Sequence, residues 1–185
     1  HPLFSKILES FKSRVESQGY DIMFLSKSMG VSHGGYLEHS KRKQVEAFFI
    51  LCSDFHSDEI MKLCASEIPV SVIDFSFIGA SNVTSNNKRG VTLAVKHLHS
   101  LGHTKIAHIY GGLDLDIGKR RKEYFEGVMA DLGIEVKQEY LVSGEFFSKE
   151  DGYNAMNHIL ELKDKPTAVF CASDMIAIGA MQAIK

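Results

Sequence analysis

Arg89-Gly-Val-Thr-Leu-Ala-Val-Lys-His-Leu-His-Ser-Leu-Gly-His-Thr-Lys-Ile-Ala-His-Ile-Tyr-Gly-Gly112 carries the fold in miniature. Val91, Ala94, Val95, Leu98 and Leu101 recur at helical spacing, so one face of this stretch is apolar. Gly102 stands where a helix end wants a left-handed residue. Lys105 to Tyr110 then reads as a short apolar run stopped by Gly111-Gly112, which is a strand ending in a turn. A helix that runs straight into a strand is half of a βαβ unit, and such strands form parallel sheets.

The same alternation extends in both directions. Upstream, Phe4, Ile7, Leu8, Phe11 and Val15 form a helical stripe closed by Gly19, and Tyr20 to Leu25 reads as a strand. Ser26 to Gly35 is a glycine-bearing loop, and residues 36–44 present a basic, solvated helix face. Val45 to Leu51 and Val70 to Asp74 are strands flanking a short helix, Asp58 to Ser66, and 76–87 is a loop with a short strand near Val83. Downstream, Tyr124, Phe125, Val128, Met129 and Leu132 mark a helix ended by Gly133, and Tyr140 to Val142 a strand. Ser148 and Asp151 resemble a helix-start box, Thr167 to Ala172 is a strand, and Asp174 opens a last helix. Strand and helix alternating in this way predict a doubly wound α/β fold.

The 185 residues suffice for one large domain or two small lobes. A 44% apolar content supports a packed core, and a net charge of −2 offers no long-range attraction to nucleic acid or an acidic membrane. No apolar run has the length of a membrane span. Cys52, Cys64 and Cys171 lack C-x-x-C spacing and read as buried thiols of a reducing compartment. His1 is not a start methionine, its helix lacks a preceding strand, and Lys185 falls inside a helical pattern, so a longer protein is expected.

Asn86-Asn87, Gly90, His97-Leu98, Leu101-Gly102-His103 and Ile106-Ala107 resemble the signature of the lactose-repressor/galactose-repressor (LacI/GalR) family, with Asn86 where that family has Asp. His1-Pro2-Leu3-Phe4, Gly19-Tyr20-Asp21, Val45-Glu46-Ala47, Ile68-Pro69-Val70, Pro166 to Phe170 and Ser173-Asp174 with Ala177-x-Gly179-Ala180 match in order, so the resemblance spans the chain. It implies a two-lobed fold like that of periplasmic binding proteins, each lobe a mostly parallel sheet with flanking helices and a ligand in the cleft between lobes. The lobes are expected at 1–102, an N-terminal lobe without its first strand, and 103–185, a partial C-terminal lobe. The resemblance also implies a helix-turn-helix head that binds operator DNA and precedes this region, so no DNA-binding residue is expected here.

Ligands of open parallel sheets bind beyond the carboxyl ends of the strands. That rule selects Ser26, Asp74-Phe75, the Gly112 to Arg121 loop, Glu145-Phe146 and Ser173-Asp174. Asp74 and Asp116 can accept hydrogen bonds from hydroxyls, Arg121 offers a rigid fork of donors, and Phe75 and Phe146 give flat apolar faces. The family's effector-contacting positions resemble His1, Phe4, Asp74, Phe75, Asn86, Arg121, Phe146 and Ser173. Without the resemblance, Lys119 to Lys122 reads as a solvated helix start, Phe4 as core and Asp174 as an N-cap, while Asn87 is equally a cap or a ligand. Catalysis has no support: G-x-S-x-G, G-x-G-x-x-G and P-loop patterns are all missing. His97, His99, His103 and His108 are no metal set, because His97 and His99 face different directions on a helix and no nearby Cys or carboxylate completes one.

These readings predict the effector-binding core of a cytoplasmic, homodimeric transcription regulator that binds a sugar or sugar derivative, with no cofactor. The alternative is a secreted sugar-binding protein for transport on the same fold.

Overall fold

The computed structural model describes residues 2–25, 35–51, 57–113, 116–145 and 148–185. The chain divides into two compact units, His1–Val83 and Thr84–Lys185, each described by itself.

In the first unit, helix α1 (Pro2–Glu16) half-buries the predicted stripe and stacks Phe11 on Phe49 at 4.0 Å. Helix α2 (Gly35–Arg42), strand β1 (Phe48–Ile50), helix α3 (Asp58–Cys64), strand β2 (Val70–Ile73) and strand β3 (Ser81–Val83) follow. The sheet order is β1-β2-β3, all parallel, over a core of Ile50, Ile60, Leu63, Cys64, Val70 and Val72. The Glu59 carboxylate accepts from the Tyr36 amide at the start of α2 (3.1 Å) and from Lys62 (2.9 Å). The Lys62 hydrogen bond holds that carboxyl below its ordinary range.

Tyr20 to Leu25 is not the expected strand. It has no ladder partner among the described residues, and Tyr20, Met23 and Phe24 are exposed. An apolar run becomes a strand only when a neighbour takes its backbone donors and acceptors. Ser26 to Gly34 and Cys52 lie outside the described residues.

The second unit opens on helix α4 (Asn87–Ser100). It closes as expected at Gly102 (φ 91°), where the Gly102 amide donates to the His99 carbonyl (2.9 Å) and the His103 amide to that of Leu98 (3.2 Å). Strand β4 (Ile106–Tyr110), helix α5 (Asp116–Asp131), a 3₁₀ turn (Gln138–Tyr140), strand β5 (Leu141–Ser143), helix α6 (Lys149–Leu160), strand β6 (Ala168–Cys171) and helix α7 (Asp174–Ile184) complete it. The sheet order is β5-β4-β6, all parallel. Helices α4 and α5 cover one face through Val91, Val95, Phe125, Val128 and Met129. On the other face, α6 and α7 supply Ala155, Met156, Ile159, Ile176 and Ala180. Helix α4 shares its core with Ile106 and Phe125, so the compact units divide ahead of α4 rather than at 102/103.

Helices α6 and α7 meet backbone to backbone. A Cβ on Gly179 would lie 1.9 Å from the Lys149 carbonyl oxygen, and one on Gly152 would lie 2.2 Å from that of Ile176. Ser148 starts α6 with the expected capping box, its Oγ accepting from the Asp151 amide (3.0 Å) while its own amide donates to the Asp151 carboxylate (3.0 Å). At the amino edge of the sheet, Asp164 pairs with Lys105 (2.6 Å) and Lys137, and its backbone carbonyl accepts from the Tyr140 hydroxyl (3.0 Å). The two lysines hold the Asp164 carboxyl down to about 2.

His108 lies at the centre of β4, fully buried. Its ring stacks between Phe125 (4.7 Å) and Phe170 (4.8 Å), and its Nδ1–H donates to the Phe170 carbonyl (2.9 Å). Nε2 is buried with no hydrogen-bond partner among the described residues. Burial, reinforced by the charges of Lys122 and Arg121, pushes the imidazole down to about 4.

Two outcomes follow. Gly179→Ala should destabilise the protein by about 1–3 kcal/mol through overpacking. Gly127→Ala in α5, where nothing lies within 4 Å of the new Cβ, should instead stabilise it by up to about 1 kcal/mol; urea midpoints of the two variants check the opposite signs. His108 binds its proton more weakly folded than unfolded, so its contribution is intact above the ordinary value of 6.5 and shrinks as pH falls toward 4. The loss at pH 4 should reach about 3 kcal/mol, and a His108→Phe variant should lack that part of the pH profile in denaturation experiments.

Candidate functional site

In the second unit the chain leaves β4 toward β5 on one side and returns through β6 on the other. The crevice outside the carboxyl ends of β4 and β6 is therefore the topological switch point, where doubly wound sheets bind ligands. Gly111-Gly112 ends β4 there. The Gly112 amide donates to the Glu145 carbonyl (2.7 Å) and the Gly144 amide to that of Tyr110 (2.6 Å), tying the ends of β4 and β5 together. Glu145 takes a positive φ of 27° at this junction, and strained backbone of this kind concentrates at functional sites. Helix α5 backs directly onto the turn: a Cβ on Gly118 would sit 2.1 Å from the Gly112 carbonyl oxygen.

This seating aims Arg121 across the switch point. Its Nη1–H donates to the Ala172 carbonyl just past β6 (2.6 Å), and its Nε–H to Asn87 Oδ1 on α4 (2.9 Å). The basic run therefore does not behave as one solvated face. Lys119 and Arg120 are exposed, with Arg120 paired to Asp116 at 3.7 Å, whereas Arg121 is half-buried. Lys122 is half-buried too, pairing with Glu126 (2.9 Å) and lying over the Tyr110 ring at 5.8 Å.

The other candidates divide by what their side chains already do. Asn86 is the N-cap of α4, its Oδ1 accepting from the Arg89 amide (3.0 Å). The cap reading weighed for Asn87 therefore belongs to Asn86, and Asn87 belongs to Arg121. Likewise Ser173, not Asp174, caps α7, its Oγ accepting from the Ile176 amide (3.3 Å), and Asp174 is exposed in the first turn. Only the backbone conformation separates such neighbours, because both residue types in Asn-Asn and Ser-Asp are competent caps. Asp116 is the first residue of α5.

In the first unit, Asp74 and Phe75 follow β2. Asp74 holds a left-handed φ of 57° while its amide donates to the Val83 carbonyl (3.0 Å). Phe75 packs partly against the core and lies 4.9 Å from the Phe77 ring. Phe4 is half-buried on α1. His1, Ser26 and Phe146 lie outside the described residues. Sequence reasoning did not assign Asn87 to Arg121 or reach the Ala172 carbonyl, since a contact across 34 or 51 residues leaves no local pattern.

What the second unit offers is a fixed guanidinium beside strand ends that are hydrogen-bonded to one another. Such a group recognises hydroxyl, carbonyl or anionic oxygens directionally. Residues 1–185 match the sequence profile of periplasmic binding proteins and the sugar binding domain of the LacI family. Relatives include the HTH-type transcriptional repressor PurR of Mannheimia succiniciproducens, 31% identical over 99% of this chain and 56% of the repressor. PurR of Haemophilus influenzae is 32% identical over 99% of this chain and 55% of its own length. The chain thus spans about half the length of the curated relatives it matches. Among solved structures, a LacI transcriptional regulator from a Rhodococcus species superposes with a TM-score of 0.81 at 28% identity, covering 99% of this chain and 68% of that one. A LacI family regulator from Enterococcus faecium with bound ribose superposes at 0.78 with 25% identity, covering 100% and 67%. The α/β units carry the fold of these periplasmic-binding-protein-like structures, and the chain belongs to the family of periplasmic binding proteins and LacI-type sugar-binding domains.

Proposed function

We propose that this chain is the effector-binding core of a LacI-type transcription regulator whose effector is a sugar or sugar derivative. The observation that carries the reading is Arg121, held at the switch point of a unit whose family profile is that of a sugar-binding domain. The names of the relatives favour a regulator over a transport protein, and the ribose held by the Enterococcus faecium structure favours a polyhydroxyl ligand. In this reading the chain performs no catalysis. It is part of a cytoplasmic homodimer, and operator DNA is bound by a helix-turn-helix head outside this sequence. Among the described residues no helix is long and apolar enough to cross a membrane.

Effector recognition falls to Arg121 and Phe146, with Asp74, Phe75, Asp116, Asp174, His1 and Phe4 as further contacts. Asn86 and Ser173 contribute with the hydrogen-bonding capacity that capping leaves them. Binding favours one conformation of the regulator only by as much as the effector prefers it, and that difference sets operator occupancy.

Thermal-shift screening of pentoses, hexoses and their phosphates against the intact regulator should find a stabilising sugar. Calorimetry with that sugar should show Arg121→Ala weakening binding by roughly 10- to 150-fold per charge-assisted hydrogen bond lost. Phe146→Ala should weaken binding without unfolding the protein. Unchanged affinity in both Arg121→Ala and Phe146→Ala would refute the site. In gel shifts, residues 1–185 alone should show no specific, salt-resistant DNA binding, since the net charge is −2 and affinity for DNA is largely phosphate neutralisation.

A further inference from the structure

We infer that Asn87 is the positioning residue of the site: its side-chain amide fixes the guanidinium of Arg121 and so sets the direction in which Arg121 presents donors. The inference rests on the reading of Arg121 as the effector's hydrogen-bond donor.

The amide of Asn87 is itself locked. Its Nδ2–H donates to the Ser85 carbonyl (3.1 Å), and its backbone N–H donates to the same carbonyl (2.7 Å). With Nδ2 committed to an acceptor, Oδ1 has one orientation, and it is the one that accepts from Arg121 Nε at 2.9 Å. The reverse amide orientation would set oxygen against the Ser85 carbonyl and NH₂ against the guanidinium, so both contacts would turn repulsive together. Asn87 is half-buried, and it is not needed as a cap, because Asn86 already accepts from the Arg89 amide. Its side-chain amide joins a backbone carbonyl to Arg121.

A guanidinium is planar, so two anchors define its plane and rotation. Ala172 holds Nη1 from the end of β6, and Asn87 holds Nε from the start of α4. Removing Asn87 takes away the anchor on Nε and so loosens the plane in which the group is held. The rotamer entropy that fixation removes in advance would then be lost on binding instead, weakening affinity without deleting any direct ligand contact. Lysine at 121 cannot reproduce this arrangement, because its ammonium has no planar Nε–H.

The test uses the intact regulator with arginine-selective ¹⁵N labelling and no added ligand. The Arg121 Nε–H resonance, assigned by its loss in Arg121→Lys, should be shifted from the free-arginine position and exchange slowly with water. Asn87→Asp exchanges the donor to Ser85 for a charge that strengthens the bond from Nε, and should retain that signature. Asn87→Leu should lose it. An Arg121 resonance unchanged in Asn87→Leu would overturn the inference. Ribose calorimetry supplies the second arm: Asn87→Leu should weaken binding about tenfold in the native background and not at all in the Arg121→Lys background. Equal losses in both backgrounds would mean that Asn87 acts independently of Arg121, and would also overturn the inference. A native protein that ignores ribose counts against ribose as effector, and the Nε resonance then decides the role of Asn87 alone.

Discussion

Helices α6 and α7 cross backbone on backbone at two glycines. Lys149 and Ile176 present carbonyl oxygens where Gly179 and Gly152 would carry a Cβ, so each helix lies directly on the other's backbone. Neither helix can move outward without opening a gap over Ala107, Ile109 and Ala172, the buried residues beneath them. That close approach fixes where α7 begins. The start of α7 fixes Ala172, the residue before its Ser173 cap, and the Ala172 carbonyl holds Nη1 of Arg121. A packing constraint on one face of the sheet thus reaches a polar group at its carboxyl edge.

The opposite face works by different means. There the sheet buries an imidazole between two phenyl rings, where Val91 and Val95 of α4 also pack. A neutral His108 costs one unpaired nitrogen, whereas a charged one would need a second acceptor and would face Lys122 and Arg121 as like charges. The same two cations flank the site. Acid that protonates His108 should therefore weaken the core on which the residue that we propose contacts the effector is carried. The foot of the sheet contributes less. The Asp164 pairs with Lys105 and Lys137 are half-exposed and screened, so they tether connections more than they stabilise them.

Periodicity and end signals made most of this fold legible. The αL glycine at 102, the Ser148–Asp151 box and the apolar run ending in Gly111-Gly112 each act within a few residues, and each is where the spacing predicts. Tyr20 to Leu25 carries an equally apolar pattern and forms no strand, because pairing depends on a neighbour that the pattern does not contain. The site was legible to the level of which strand ends to inspect. It was not legible at single-residue resolution. Asn86 and Asn87 are chemically identical neighbours, yet one caps α4 and the other holds Arg121. The four-residue basic run splits into exposed Lys119 and Arg120 and half-buried Arg121 and Lys122, because only the helical face of the latter pair turns toward Ala172 and Tyr110.

Those divisions bear on which groups can answer a ligand. A cap spends an acceptor on its own helix: Asn86 gives Oδ1 to Arg89, and Ser173 gives Oγ to Ile176. What remains at Asn86 is an amide donor, and at Ser173 a hydroxyl proton. Arg121 is a donor only. Of the second unit's polar side chains that we propose contact the effector, Asn86, Arg121 and Ser173 therefore offer donors, while Asp116 and Asp174 at the first turns of α5 and α7 offer carboxylates. A ligand that suits this edge must bring acceptor oxygens in a fixed spatial pattern and enough hydroxyls to satisfy two carboxylates. A polyhydroxylated ring meets both demands at once, since each hydroxyl donates one hydrogen bond and accepts others, and its axial and equatorial arrangement supplies the pattern that a locked guanidinium can discriminate.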